Sequence, residues 1–388
     1  MTAPFAPRPD GVKRAAMRIC IVTDAWHPQV NGVVRTLDTL RRTLRAEGHR
    51  VFMLSPRHFT TVPCPSYPEI RLSLNIPFRV AAMIEGFRPD AIHIATEGPL
   101  GWAARRYCLK HGLPFTTAYH TAFPDYIAAR THLPASWFYP LFRRFHGASK
   151  GVLVATPSVR RDLADHGFER LVPWSRGVDT SVFYPRSDAE AAEMIARVCP
   201  GVDLASLPRP IQLYVGRVAV EKNVEAFLAA DVPGTRLVVG DGPALASLKQ
   251  RFPDAIFTGA LFGDDLATAY SLADVFVFPS KTDTFGLVLI EALACGTPVA
   301  AYPVQGPVDV LGPEGRGGGA LPVGVSPAAR PAACLDDDLA TAIRGALVFD
   351  RDACLDLARR FSWQTVARQF VASLQGISCF AEEARPAA

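Results

Sequence analysis

The stretch MRICIVTDAWHPQVNGVVRTLDTLRRTLRAEGHRVFMLSP, residues 17–56, sets the reading of the whole chain. It opens with a short β-branched apolar run of the kind that forms a strand buried on both faces. The apolar period then changes: Val33, Val34, Leu37, Leu40 and Leu44 recur at the three-and-four spacing of one helix face. EGHR ends that helix, and VFMLSP is a second short strand. Strand, loop, helix and strand in this order open a βαβ unit, so a parallel sheet covered by helices is expected.

The pattern extends outward from there. FRPDAIHIAT (87–96), LPFTTAYHT (113–121) and GVLVATPS (151–158) read as strands, with a helix over about residues 100–110. A polar stretch around residues 184–208 interrupts the alternation, which then restarts. PIQLYVGRV (210–218) is a strand, a helix follows from about Asn223, and TRLVVGDGP (235–243) is a strand and turn. LASLKQRF, DAIFTG, LATAYSLAD and VFVFPS continue as helix, strand, helix and strand. Two α/β domains are therefore expected, at 17–190 and 205–360. A flexible tail over 1–16 precedes them, and an amphipathic closing helix at 361–376 packs back toward the first domain.

Composition narrows the class. The 388 residues include eight cysteines with no CxxC pairing, as in a reducing compartment rather than a disulfide framework or zinc site. No apolar run approaches the roughly 20 residues of a membrane span, and residues 1–16 lack the apolar core of a signal peptide. A cytoplasmic protein is expected. Residues 1–180 carry 24 Lys and Arg against 13 Asp and Glu, whereas the remainder carries 17 against 24. The basic half suits an anionic membrane surface or an acidic substrate, or is an arginine-rich solvated face. No zinc-finger, RRM or helix-turn-helix signature accompanies the charge, so no nucleic-acid partner is expected.

Several motifs carry candidate chemistry. In FVFPSKTDTFGLVLIEALACGTPVA (276–300), Asp283 and Glu291 interrupt an apolar stretch, and a buried charge is normally paired or used. VFVFPS is a strand, KTDTFG a turn and LVLIEALACG a helix. Asp283 thus falls in a loop at the carboxyl edge of the sheet, and Glu291 about a turn and a half into the helix. Free helix-start amides around Phe285, Gly286, Leu287 and Val288 lie between them. Carboxylates at both ends with amides between suit a ligand with hydroxyls at both ends and a diphosphate in the middle, which describes a nucleotide sugar. Arg217 and Lys222 in VGRVAVEKNV follow another strand, where two cations and a helix start hold a diphosphate or are simply solvated. Gly32 stands at the first βα turn, where glycine admits a phosphate or sugar to the backbone or merely starts a helix. GDGPAL (240–245) begins like a dinucleotide fingerprint, but Leu245 replaces its third glycine and Pro243 removes a donor. DDD (336–338) precedes a helix, where acids are explained by capping and the macrodipole rather than a metal.

Jointly these motifs resemble a family 4 retaining glycosyltransferase of the GT-B fold. The match is DTFGLVLIE followed by ALACGTPVAA, with DAWHPQVNGVVRTL, AYHTAFPDYI, SRGVDTSVF, VGRVAVEKNV and VVGDGP in family order. It runs from about residue 17 to 310 and includes the closing helix. The family motif usually begins with Glu where this chain has Asp283. The resemblance implies two Rossmann-like domains facing each other across a donor cleft. It implies that Glu291 holds the ribose, Asp283 a hydroxyl of the donor sugar, and Arg217 and Lys222 the diphosphate. Gly32 would let the N-terminal loop close on phosphate and sugar, and His120 would sit beside the donor sugar. No metal and no cofactor are required in this reading, since the departing phosphate takes the acceptor's proton.

The implied activity is transfer of a hexose from a UDP- or GDP-sugar to a membrane lipid such as diacylglycerol. The alternative is a mannosyl or glucosyl transferase extending a polysaccharide or glycolipid head group. A nucleotide-sugar epimerase and a non-catalytic sensor are further readings, against which the full residue set argues. ARTHLPASWFYPLFRRFHGASKG (129–151) mixes Trp137, Phe138, Tyr139, Phe142 and Phe145 with Arg143, Arg144 and Lys150. That composition suits peripheral association with the inner face of the cytoplasmic membrane, or a helix packing its aromatics inward.

Overall fold

A computed structural model describes residues 16–29, 32–64, 67–73, 76–120, 124 and 133–374. All of the expected tail except residue 16 lies outside the described residues, as do the last two residues of the expected closing helix. The opening unit is β1 (Arg18–Val22), α1 (Gly32–Ala46) and β2 (Arg50–Leu54). A hairpin of β3 (Thr61–Cys64) and β4 (Tyr67–Ser73) and then α2 (Ile76–Phe87) lead to β5 (Ala91–Ile94). The first half closes with α3 (Pro99–Lys110), β6 (Thr116–Tyr119), α4 (Tyr139–His146), β7 (Val152–Val154), α5 (Pro157–Asp165) and β8 (Leu171–Pro173).

The second half starts at α6 (Asp188–Val198) and β9 (Ile211–Val215). It runs through α7 (Val224–Leu228), β10 (Thr235–Val239), α8 (Leu245–Arg251), β11 (Ile256–Gly259), α9 (Gly263–Leu272) and β12 (Val275–Phe278). It ends with α10 (Leu287–Ala294), β13 (Val299–Ala301), α11 (Gln305–Leu311), β14 (Ala333–Leu335), α12 (Leu339–Ala346), α13 (Arg351–Arg359) and α14 (Trp363–Leu374).

Each half is one parallel six-stranded sheet, in the orders β2-β1-β5-β6-β7-β8 and β11-β10-β9-β12-β13-β14. Central strands such as β5, β6, β9 and β12 are buried along their whole length, which is why they read as unbroken apolar runs. In both sheets the strand order reverses, between β1 and β5 and between β9 and β12. Ligands of open α/β sheets bind outside the carboxyl ends of the strands at such switch points. Gly32 follows β1, Arg217 and Lys222 follow β9, and Asp283 follows β12. The topology therefore delivers these four to the switch points of two sheets.

The chain passes between the halves twice. Trp363, Val366, Phe370 and Leu374 of α14 pack with Ile19, Leu37, Leu40 and Leu44, so the last helix completes the core of the first domain. A bridge between Val178 and Ser362 ties the two crossing segments together.

The stretch at 184–208, read as polar, in fact contains α6. Ser187 Oγ accepts from the Glu190 N–H at 3.3 Å, and the Glu190 carboxylate accepts from the Ser187 N–H at 2.8 Å. This is a capping box, and Ala191, Met194 and Ile195 then bury one face in the second core. The polar residues that hid the helix from a hydrophobicity reading are the ones that start it.

Candidate active site

Two helix starts face each other where the domains meet. A Cβ placed on Gly32, the first residue of α1, would lie 3.9 Å from Cδ1 of Leu287, the first residue of α10. Gly286 caps α10 with φ 78°, a left-handed conformation that favours glycine, and a Cβ there would press on Phe278 at 3.1 Å. First-turn amides have no partner within their own helix and carry the positive end of its dipole. Two such ends approaching from opposite domains make a candidate anion site. Phe285 is a buried core residue, edge-on to Phe361, so only its backbone is available to a ligand.

Beside this anion site, Lys222 Nζ donates to Asp283 Oδ1 at 2.5 Å. The other carboxylate oxygen, Oδ2, is buried and has no partner among the described residues. The loop that carries Asp283 is fixed from behind, because a Cβ on Gly306 would lie 2.3 Å from the Asp283 carbonyl oxygen. Arg217 is exposed, with Glu221 at 3.7 Å, while the Tyr214 hydroxyl donates to its carbonyl at 2.8 Å. Its backbone is held, while its exposed side chain is paired only with the exposed Glu221 among the described residues. The GDG turn at 240–242 has an internal explanation. A Cβ on Gly240 would lie 1.8 Å from the Gly216 carbonyl oxygen, and one on Gly242 2.4 Å from that of Val218. The glycines let two loops pack, so no ligand is needed to account for them.

Glu291 is buried, and one carboxylate oxygen accepts from Arg35 of α1 in the opposite domain. The other accepts from the Tyr270 hydroxyl at 3.2 Å. Burial pushes its carboxyl upward, and Arg35 and Tyr270 oppose that shift. With Arg35 in place, the space beside Glu291 is about 40 Å³. Arg35 lines that space and holds one carboxylate oxygen of Glu291, so a ligand hydroxyl takes that oxygen only by displacing Arg35.

His120 lies just past β6, at the carboxyl edge of the first sheet. Arg176 Nη2 stands 3.0 Å from His120 Nδ1. A guanidinium can only donate, so Nδ1 accepts and the ring proton sits on Nε2. Nε2 is buried and has no partner among the described residues. Burial and the Arg176 charge hold the imidazole well below its usual range, so it is neutral. His120 has no free lone pair with which to act as a base.

The sequence reading missed Arg35, Tyr270 and Arg176. Arg35 and Arg176 stood inside the quoted segments NGVVRTL and SRGVDTSVF, and Arg35 follows Gly32 by one helical turn. Nothing local marks their partners, which lie 256 and 56 residues away. Asp338 of the DDD run accepts from the Thr341 N–H at 3.0 Å and caps α12.

The aromatic-basic segment divides between two environments. Tyr139, Phe142 and Phe145 are core residues, whereas Trp137 is 67% and Leu141 55% exposed, beside exposed Arg143, Arg144 and Lys150. Residues 129–132 of that segment lie outside the described residues. Among the described residues, no helix is long and apolar enough to cross a membrane.

Residues 30–182 match the profile of Glycosyltransferase Family 4, and residues 209–337 that of Glycosyl transferases group 1. The chain is 33% identical over 331 residues to the GDP-mannose-dependent alpha-mannosyltransferase of Mycobacterium tuberculosis (strain CDC 1551 / Oshkosh), covering 79% of this chain and 84% of that protein. It is 30% identical over 322 residues to the alpha-monoglucosyldiacylglycerol synthase of Streptococcus pneumoniae, covering 74% and 71%. Sucrose-phosphate synthase from Thermosynechococcus elongatus shares the fold, with a TM-score of 0.68 at 23% identity over 92% of this chain and 97% of that one.

Proposed function

We propose that this chain, which belongs to glycosyltransferase family 4, moves a hexose from a GDP- or UDP-sugar to a hydroxyl of a membrane glycerolipid, with retention at the transferred carbon. Glycosyltransferase activity is the property of the family. The donor class, the acceptor and the residue roles are the proposal. The observation that carries it is the facing pair of helix starts at Gly32 and Leu287, with an unpartnered carboxylate oxygen on Asp283 nearby. In this reading the diphosphate lies between the helix starts, Lys222 and Arg217 meet its charge, and no metal is needed. Asp283 Oδ2 accepts from a sugar hydroxyl, His120 Nε2–H donates to a sugar oxygen, and Glu291 takes the ribose hydroxyls once Arg35 has moved.

The chemistry follows from where charge develops. As the bond from the anomeric carbon to the phosphate oxygen breaks, the sugar becomes positive and the diphosphate gains negative charge. Fixed amides and cations favour that separation without reorganising. The acceptor hydroxyl attacks on the face the phosphate leaves. Its oxygen bonds to the anomeric carbon, and its proton passes to the departing phosphate oxygen. His120 takes no part in that proton transfer, because its Nδ1 is occupied and its Nε2 already carries a proton.

A lipid acceptor is supported by the exposed Trp137 and Leu141 beside Arg143 and Arg144, and by the lipid product named for the streptococcal relative. An amphipathic aromatic flanked by cations suits the interface of an anionic bilayer. We place the protein in the cytoplasm, peripheral to the inner face of the membrane. The mycobacterial relative's name favours GDP-mannose as donor, and the streptococcal one a glucosyl donor. The test is a thermal-shift panel of UDP, GDP and ADP without added metal, then transfer from GDP-mannose and UDP-glucose to diacylglycerol vesicles. Saturation at about 100 times the dissociation constant stabilises by roughly 2.7 kcal/mol. No shift with any nucleotide and no glycolipid product would refute the reading.

A further inference from the structure

Arg176 is a cation that the transfer chemistry does not use. It is 5% exposed, and among the described residues no carboxylate lies within ion-pair distance of it. Its Nη1 donates to the carbonyls of Trp174 at 3.0 Å and Ser175 at 3.2 Å, and its guanidinium lies 4.5 Å over the Trp174 ring. Nη2 is spent on His120 Nδ1. Removing a cation from water is costly, and here no buried anion offsets that cost. We infer that Arg176 is a positioning residue: it occupies His120 Nδ1 so that the imidazole stays neutral and presents Nε2–H, as a fixed donor, to the transferred sugar.

The inference rests on the reading of His120 as a contact to the donor sugar and adds what sets its state. An unconstrained imidazole exists as two tautomers and gains a proton near pH 6.5. The wrong tautomer would present a lone pair where a proton is needed, and an imidazolium, though it keeps Nε2–H, would set a positive charge beside a sugar that itself becomes positive as its bond breaks. The groups facing His120 all work in one direction. Arg176 comes from the loop after β8, His93 from β5 and His146 from α4, and each disfavours an imidazolium there. His146 is engaged at both nitrogens, Nε2 by Glu97 at 3.1 Å and Nδ1 by Thr117 at 2.9 Å, and His93 Nδ1 is engaged by Thr116 at 2.9 Å. The uncharged Trp174 ring stands edge-on to His120 at 6.0 Å. Burial lowers the Arg176 guanidinium to about 9, which still leaves it charged at neutral pH.

The test has two arms, both on the full chain. In the first, long-range proton–nitrogen NMR of the ligand-free protein reads the His120 ring, assigned with His120→Gln. The wild type should show only the Nε2–H tautomer, with no imidazolium from about pH 8 down to about pH 5. Arg176→Met should show mixed tautomers and an imidazolium appearing at a higher pH than in the wild type, still below the ordinary range because burial remains. Arg176→Gln, which keeps a neutral N–H donor, should hold the tautomer and lose only the charge effect. It also serves as the folded alternative if the methionine variant does not fold.

The second arm measures transfer from GDP-mannose and from UDP-glucose to diacylglycerol vesicles in Arg176→Met, His120→Gln and the double variant. Arg176→Met should lower kcat/KM by roughly 10-fold, the value of one oriented hydrogen bond. It should leave UDP and GDP affinity within about twofold and introduce an acid limb in the rate profile. Because Arg176 acts through His120, the double variant should be no worse than His120→Gln alone. An unchanged ring in Arg176→Met, or losses that multiply, would overturn the positioning role. Full transfer by His120→Gln would refute the donor-site reading of His120, and the positioning claim with it, whatever the ring shows.

Discussion

Arg35→Ala should tighten nucleotide binding, although it removes an ion pair from the site. Arg35 and Glu291 join opposite domains, and a ribose hydroxyl can take the carboxylate oxygen that Arg35 holds only by breaking the pair. A hydrogen bond to a charged group contributes about 1.5–3 kcal/mol when buried. Glu291 is buried, but the Arg35 side chain is 41% exposed, which moves the value toward the 0–1 kcal/mol of surface pairs. Taking about 1–1.4 kcal/mol, a nucleotide that must break the pair loses roughly 5- to 10-fold in apparent affinity. Arg35→Ala should recover that factor for UDP or GDP, read by titration calorimetry.

The pH dependence of this gain has a definite sign. Glu291 is pushed up by burial and held down by Arg35, so without Arg35 its carboxyl rises further. The variant's gain should therefore shrink as pH falls, because protonation removes the ribose acceptor at a higher pH than in the wild type. The variant should also unfold earlier, because a buried carboxylate has lost its cation. Weaker nucleotide binding in Arg35→Ala would refute the argument and make Arg35 a direct ligand contact. Unchanged binding would mean that the pair contributes nothing.

Three further outcomes follow from the same structure. Glu291→Ala should weaken nucleotide binding, whereas Asp283→Ala should mainly impair sugar transfer; wild-type binding and turnover in both would remove the proposed site. Burial raises Asp24 from 3.8 to about 6, against hydrogen bonds from Leu100, Gly101 and Thr96, so the native state binds more protons than the unfolded one between those values. Its stabilising contribution is present below about pH 4 and lost as pH rises through 6, a change of about 3 kcal/mol, so urea melts of wild type and Asp24→Asn should differ in pH slope over that window alone. Replacing both Trp137 and Leu141 by Ser should reduce sedimentation with phosphatidylglycerol vesicles by at least tenfold, since burying each apolar side chain contributes about 1.5–3 kcal/mol, while UDP and GDP affinity stays unchanged.

The sequence alone determined the two-sheet architecture, because a strand buried on both faces and an amphipathic helix leave different periods in the chain. It also singled out Gly32, Lys222, Arg217 and Asp283, since each lies in the loop or helix start that follows a strand and the carboxyl ends of parallel strands are where such folds bind ligands. Where polarity rather than period carried the signal, as in the capping box of α6, the pattern was present and was passed over. Only the tertiary structure decided what the charges touch. Arg35 meets Glu291 across 256 residues, and Arg176 fixes the proton of a histidine 56 residues away. Those contacts form because two domains are packed together and a loop is buried against a strand end. A linear pattern records which face of an element is apolar. It does not record which partner that face, or a charge beside it, will meet.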